Sequence, residues 1–148
     1  MHRLRFALAA TLVSTTLGAA AALAQVPTTS VLAGKKFTPP IKGEAIVEFT
    51  APVTKREKEM VVTRVQVKNV SKGPIAGFKV DEYWYNAKGE AVSGAQTFRV
   101  LKPMMPGDIV EVVLKSPKTP DMARSQRVFG HANGTVKPTK VPAFKKDS

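Results

Sequence analysis

The stretch VKNVSKGPIAGFKVDEYWYNAKGE, residues Val67 to Glu90, carries the clearest fold signal in the chain. It contains two runs of alternating apolar and polar side chains, joined by a Lys-Gly-Pro turn and closed by a second turn at Asn86 to Gly89. Alternation with a period of two is typical of β-strands that bury one face. The stretch therefore predicts two consecutive half-buried strands.

Glu82 is the unusual residue in this stretch, because the alternation places it on an apolar face. Phe78, Val80 and Trp84 share that face. A carboxylate that loses contact with water must gain a partner or a function, since burial of an unpaired charge is costly. Glu82 is therefore the first residue to consider for a catalytic or binding role.

We expect Glu82 to have a structural role. A catalytic glutamate would need a second titratable group on its own face, and the sequence supplies none there. One account pairs Glu82 with Arg99 or Arg127 through a charge-assisted hydrogen bond. The other places a β-bulge near Asp81, which would turn Glu82 toward solvent. Both accounts remain open from the sequence.

Similar alternation recurs along the chain, and no segment after Ala24 has a helical period over three turns. The residues 54–59, TKREKE, have the composition of a solvated loop. About seven short strands with turn signals near every ten residues predict an antiparallel immunoglobulin-like β-sandwich. A small closed barrel is the alternative. The segments that contain the predicted strands are 44–49, 60–70, 75–85, 89–96, 97–101, 109–116 and 124–134.

The N-terminus has the pattern of a secretory signal peptide. Arg3 and Arg5 precede a short apolar run that ends in Ala22-Leu23-Ala24. We expect cleavage after Ala24, with an uncleaved membrane anchor as the alternative. The predicted divisions are a signal peptide at 1–24, a flexible leader at 25–42, a sandwich domain at 43–135 and a basic flexible tail at 136–148.

The composition favours a periplasmic or secreted protein with a basic surface. The chain has no cysteine, so its domain must be stable without disulfides. Its formal net charge is +12, which would attract an anionic envelope polymer. Another envelope protein is the alternative partner. The lysines are spread along the chain, so a solvated basic surface is the simpler interpretation. We expect no specific nucleic-acid partner and no membrane span after signal cleavage; the oligomeric state stays open.

The run VQVKNVSKGPIAGFKVDEYWYNAKGEAV, followed by LKPMMPGD, resembles the bacterial FxLYD-type domains. The pieces that carry the resemblance are the strand end Val67-Lys68-Asn69, the aromatic pair Trp84-Tyr85 before Asn86, Gly89, and Leu101 with Pro106-Gly107. They span about Val65 to Val113. Asn86 stands where the family usually has Asp, and Met104-Met105 is an insertion. The resemblance implies an extracytoplasmic immunoglobulin-like module with no catalytic residues.

The residue inventory predicts that the protein is not an enzyme and has no cofactor. His131 is the one histidine beyond the predicted signal peptide, and no Gly-x-Ser-x-Gly motif accompanies it. Asp81 and Glu82 are strand neighbours that point to opposite faces, so they cannot act as a catalytic carboxylate pair. We therefore assign no catalytic residue.

Copper handling is a second alternative function. Methionine sulfur binds Cu(I), and Met60, Met104, Met105 and Met122 could converge with His131 in a periplasmic protein. The competing interpretation is that these methionines fill gaps in the core. Because no Met-x-Met or His-x-x-Met spacing is present, we assign no metal ligand.

The predicted ligand-binding residues lie on the outer faces of the two central strands. Lys79, Tyr83 and Tyr85 share one outer face, and Arg64 and Lys68 share the other. If the two strands pair, these side chains form a basic patch with two tyrosines that could stack on sugars or bind an anionic polymer. Cross-strand tyrosines also stabilise ordinary sheets, which is the structural alternative.

Overall fold

A computed structural model describes residues 38–144. The predicted signal peptide, most of the predicted leader and the last four residues lie outside this range. The described chain is all-β, as predicted, and it contains no helix that could cross a membrane. Its strands are β1 (Gly43–Phe49), β2 (Val53–Glu57), β3 (Met60–Asn69), β4 (Lys79–Tyr85), β5 (Gln96–Arg99), β6 (Ile109–Pro117), β7 (Arg124–His131) and β8 (Gly134–Lys140).

The eight strands belong to one mixed sheet. Their order is β2-β3-β1-β8-β7-β4-β5, and β6 pairs with the other side of β3. The sheet curls into a half-barrel, because the edge strands β5 and β6 approach to within 8 Å between Cα atoms without hydrogen-bonded pairing. The curl encloses the apolar core, as the accumulated twist of a long sheet allows.

The pairing of β1 with β8 is parallel, so the prediction of a purely antiparallel sheet is wrong at this pair. The prediction of a loose basic tail from residue 136 is also wrong for residues 136–140, which belong to β8. Their sequence is polar because β8 is largely exposed, and Val136 is its one half-buried side chain. Backbone hydrogen bonds to β1, rather than burial, hold β8 in place.

Two other segments differ from the sequence prediction. Residues 53–57 were expected to include part of a loop, yet they form β2 as an exposed partner of β3. The predicted strand at 89–96 is reduced to an isolated bridge between Tyr85 and Ala91. In both places the strand state is decided by a neighbouring strand and not by the burial pattern.

The main core lies inside the curl and receives side chains from four strands and two loops. The fully buried members are Ala45, Val47, Val65, Val67, Ile75, Phe78, Val80, Met104, Val112 and Leu114. A second, smaller cluster contains Val61, Trp84 and Met122. The alternation predicted for β3 and β4 is therefore confirmed on the inner face.

Asn69 organises the end of the sheet where β3 stops and β6 begins. Its side chain is fully buried, and its Nδ2 donates to Gly73 O at 3.1 Å and to Met104 O at 2.8 Å. Its Oδ1 accepts the Ser71 N–H at 2.9 Å. Because every polar atom of this buried amide has a partner, Asn69 fixes the turn after β3 and the loop before β6 together.

Candidate functional site

Glu82 is paired inside the fold, which decides between its two structural accounts. Its side chain is 0% exposed, and its Oε1 accepts from Arg127 Nη1 at 2.9 Å. Its Oε2 accepts from Trp84 Nε1 at 3.2 Å. The Arg127 guanidinium also donates to Ser125 Oγ at 2.9 Å. The bulge account is wrong, and the partner is Arg127 because register places it directly opposite Glu82 on β7.

The predicted ligand-binding patch is divided by the topology. Strand β4 lies between β5 and β7, whereas β3 pairs with β1, β2 and β6. The pairing of β3 with β4 that the patch required is therefore wrong. Tyr83, Tyr85 and Lys79 stay on the outer face of β4, while Arg64 and Lys68 lie on a different part of the sheet.

The β3 half of the predicted patch is balanced by acidic neighbours. Arg64 Nη1 lies 3.9 Å from Glu111 Oε1 on β6. Lys68 is only 8% exposed and lies opposite Glu48 on β1. Each basic residue therefore has a carboxylate beside it, which reduces the positive potential that an anionic polymer would meet.

Lys79 is also engaged, through Asp81 on the same strand. Lys79 Nζ donates to Asp81 Oδ2 at 2.6 Å, and Thr97 Oγ1 donates to Asp81 Oδ1 at 2.6 Å. Burial alone would raise the pKa of the Asp81 carboxyl and is the largest single influence on it. The hydrogen bonds from Lys79 and Thr97 and the charges of Lys79 and Arg99 together outweigh burial, so this pKa lies below its ordinary value.

Strand β7 supplies the neighbours that the two tyrosines meet. Register places Gln126 opposite Tyr83 and Arg124 opposite Tyr85. The tyrosines are half-buried, and Arg124 and Gln126 are exposed. We call these four residues the tyrosine face. The alternation shows that Arg124 and Gln126 share one face of their strand. It does not show that this strand lies beside β4, so the sequence did not identify these two residues as neighbours of the tyrosines.

The tyrosine face includes a polar hollow of about 350 Å³ at its Tyr85 end. Its lining residues are Tyr85, Gly89, Arg124, Ser125 and Gln126. Aromatic rings with one polar edge suit sugar rings, and a planar guanidinium suits carboxylate or sulfate groups. Arg124 is exposed and, within residues 38–144, has no ion pair, in contrast to Arg64.

A larger hollow, of about 500 Å³, lies elsewhere, on the outer side of β2 and β3. Val53, Arg64, Glu111 and Phe144 are among its lining residues. The charged residues that line the larger hollow are Lys55, Arg64 and Glu111, and Glu111 offsets part of its positive charge. We favour the smaller hollow as the site, because it places the Tyr85 ring beside Arg124 with no carboxylate among its lining residues.

Three of the four methionines considered for copper lie in different parts of the fold. Met104 lies in the main core and Met122 in the second cluster, while Met105 is 48% exposed. His131 Nε2 lies 2.9 Å from Gly43 O, and its Nδ1 accepts the Asn133 N–H at 3.3 Å. Among residues 38–144 there is no group of three His, Cys, Asp or Glu side chains that could hold a metal ion.

Comparison with known proteins gives one structural likeness. No protein-family model matches the chain, and no curated protein matches it. Among solved structures, the chain is similar to IrmA from Escherichia coli, with a TM-score of 0.46 and 7% sequence identity. The likeness covers 70% of this chain and 99% of IrmA. At this level it does not indicate a function for this chain.

Proposed function

We propose that this protein is a non-enzymatic periplasmic or secreted β-sandwich module that binds an acidic polysaccharide of the cell envelope through the tyrosine face. The observation that carries the proposal is the row formed by Tyr83, Tyr85, Arg124 and Gln126 on one outer face of the sheet. Two aromatic rings can stack on sugars, while Arg124 supplies charge and Gln126 supplies neutral hydrogen bonds.

Further support comes from the charge and the sequence pattern. The formal net charge of +12 would draw an acidic polymer toward the protein before specific contacts form. The signal-peptide pattern would deliver the protein to the envelope. The resemblance to FxLYD-type domains belongs to the same proposal, as does the description of the curled sheet as an immunoglobulin-like sandwich. The core shared by β1, β3, β4 and β6 supports that description.

Heparin, an acidic polysaccharide that contains no lipid, is a suitable probe. We expect Tyr83→Ala with Arg124→Gln to weaken heparin binding about tenfold, which corresponds to about 1.4 kcal/mol. The matched control is the single substitution Arg64→Gln. It also removes one arginine charge, but from the pair with Glu111, and it leaves Tyr83 and Arg124 unchanged. This control is expected to change binding by less than about threefold, since it removes one of many positive charges at a position outside the tyrosine face.

Binding should also weaken as salt rises, because charge contributes to it. The melting temperature of each variant is measured alongside. If the tyrosine-face variant and the Arg64→Gln control lose affinity equally, general charge explains the binding and the proposed site is wrong. If the tyrosine-face variant melts far earlier while its affinity is unchanged, these side chains are sheet stabilisers.

A further inference from the structure

Five apolar side chains are exposed at the end of the sheet where β3 stops and β6 begins; one of them, Ile46 on β1, is 43% exposed and its carbonyl accepts the Val70 N–H, and the other four lie outside β1. Leu101 is 95% exposed, Ile109 51%, Met105 48% and Val70 39%. We call these four residues the apolar tip. Single exposed apolar residues are common on soluble proteins, but a group of them at one end of a domain indicates a contact surface.

Backbone hydrogen bonds bring the segments of the apolar tip together. Gly107 N donates to Asn69 O at 2.8 Å, and Asn69 N donates to Asp108 O at 3.0 Å. These bonds hold the loop that carries Met105 against the residue before Val70. Ile75 and Met104 exchange two further backbone bonds of 2.9 Å each. The loop is therefore anchored to the core by Met104 while Met105 remains outside.

Exposed lysines surround the apolar tip. Lys72 lies in the turn after β3, and Lys102 follows Leu101. Lys42 lies at the same end, because the adjacent Ile41 N donates to Pro74 O at 2.8 Å. Two exposed carboxylates lie at this end as well: Asp108, which accepts the Met105 N–H through Oδ2 at 2.7 Å, and Glu44, which lies between the anchored Ile41 and Ile46. The three lysines outnumber these carboxylates, and a net basic end with exposed apolar side chains complements a surface that is negative outside and apolar beneath.

We propose that the apolar tip docks onto an anionic lipid surface. Leu101 and Met105 enter the boundary between headgroups and acyl chains, and Lys72 and Lys102 lie against the lipid phosphates. This site is separate from the tyrosine face, because Tyr85 lies at the opposite end of β4 from the tip. The proposal does not rest on polysaccharide binding, and the heparin experiment contains no lipid.

The test measures co-sedimentation of the protein with vesicles of phosphatidylglycerol and phosphatidylethanolamine. The full sequence is expressed, and the N-terminus of each purified variant is read by mass spectrometry so that all variants compared are the same length. We expect Leu101→Ser with Met105→Ser to lower vesicle affinity at least tenfold, since burial of one large apolar side chain is worth about that factor or more. Lys72→Gln and Lys102→Gln should each lower it about fivefold.

Two controls match these changes on the same fold. Val128 is 45% exposed on β7, so Val128→Ser removes a similar apolar surface away from the tip. Lys115 is exposed on β6, so Lys115→Gln removes one charge away from the lysines of the tip. Both controls should bind vesicles within about twofold of the wild type, apart from a small general effect of charge.

A tryptophan placed at the tip reports insertion directly. Trp84 is buried and gives a constant background, so a shift in Leu101→Trp comes from residue 101. We expect its emission to move to shorter wavelength when vesicles are added. The proposal is overturned if the emission does not move, or if Leu101→Ser with Met105→Ser binds as the wild type does. It is also overturned if the shift occurs without vesicles as protein concentration rises, which would identify the tip as a contact between copies.

Discussion

At the residue scale, Glu82 shows how a carboxylate is retained inside an apolar face. Its two oxygens accept from Arg127 and Trp84, and removal of the carboxylate leaves the indole N–H without this acceptor and the Arg127 charge with the neutral Ser125 hydroxyl in place of a carboxylate. We expect Glu82→Ala to lower the free energy of unfolding by about 3 to 5 kcal/mol. Glu82→Gln should cost less, because the amide oxygen can still accept one of these bonds.

Chemical denaturation with each variant measures these changes. The control is Glu90→Ala, which removes an exposed carboxylate bonded to Asn86 at 2.8 Å and should cost about 1 kcal/mol or less. Equal losses from Glu82→Ala and Glu90→Ala would contradict the buried-pair interpretation. Loss of heparin binding by Glu82→Gln at an unchanged melting temperature would instead make Glu82 a ligand residue.

Asp81 should make the stability depend on pH in the acid range. Its pKa in the folded protein lies below the ordinary value of 3.8, so the unfolded chain binds a proton more readily. Its contribution to stability is therefore complete above the unfolded pKa and is lost as pH falls through the folded pKa. We expect wild type to be more stable than Asp81→Asn at pH 7, with the difference shrinking below about pH 4. A difference that stays constant down to pH 2 would contradict this prediction.

Alternation predicted which residues are buried where the inner face alone is apolar. It failed where side chains of a neighbouring strand cover an outward-facing residue. Val61, Val65 and Val67 are buried as the alternation of β3 predicts. Val62 shares the outward phase of Arg64 and Lys68, yet it is 4% exposed because register places Lys55 and Lys115 on either side of it. Long lysine side chains cover apolar neighbours, and only the strand pairing reveals which lysines are adjacent.

At the element scale, the alternation of apolar and polar residues predicted the strands that bury one face. It did not predict the strands that are exposed along their length. β1, β3, β4 and β6 contribute core residues, and all four were predicted. β2 is exposed at every position and β8 at all but one, so neither has a burial pattern to detect. β2 is a strand because its backbone pairs with β3, and β8 because its backbone pairs with β1. Such pairing depends on the tertiary fold and not on the local sequence.

The parallel pair β1–β8 depends on one glycine, which gives a sharp test of this unexpected element. Gly134 lies so close to Gly43 that an added Cβ would be 2.0 Å from the Gly43 carbonyl oxygen. Backbone cannot yield as a flexible side chain can, so Gly134→Ala must separate the first pair of the two strands. We expect a loss of at least about 3 kcal/mol in the free energy of unfolding.

The control for this change is Gly94→Ala. An added Cβ at Gly94 meets nothing within 4 Å, so the expected change in stability is within about 0.5 kcal/mol. Thermal and chemical unfolding of both variants provide the measurement. If Gly134→Ala were as stable as Gly94→Ala, the close approach of β1 and β8 would be contradicted.

At the scale of the whole molecule, the curl of the sheet decides which surface residues can act together. It separates Arg64 and Lys68 from the tyrosines and brings Arg124 and Gln126 beside them. It also gathers the exposed ends of several segments into the apolar tip, although Val70 and Leu101 are far apart in sequence. The sequence therefore predicted the kinds of residue in the candidate site, two tyrosines and a basic side chain. It did not predict that the basic side chain is Arg124.

The two proposed surfaces require the molecule to reach the cell envelope, and this requirement can be tested on the whole chain. Arg3 and Arg5, the apolar run and Ala22-Leu23-Ala24 predict export and cleavage. We expect chain recovered from the periplasm or medium of an expressing bacterium to begin at Gln25, as read by mass spectrometry. Ala24→Phe should block cleavage, because the site requires a small residue there, whereas Ala33→Phe, beyond the site, should not. Recovery of membrane-bound protein that still begins at Met1 would show that the segment is an anchor, and the apolar tip would then act beside a membrane to which the chain is already attached.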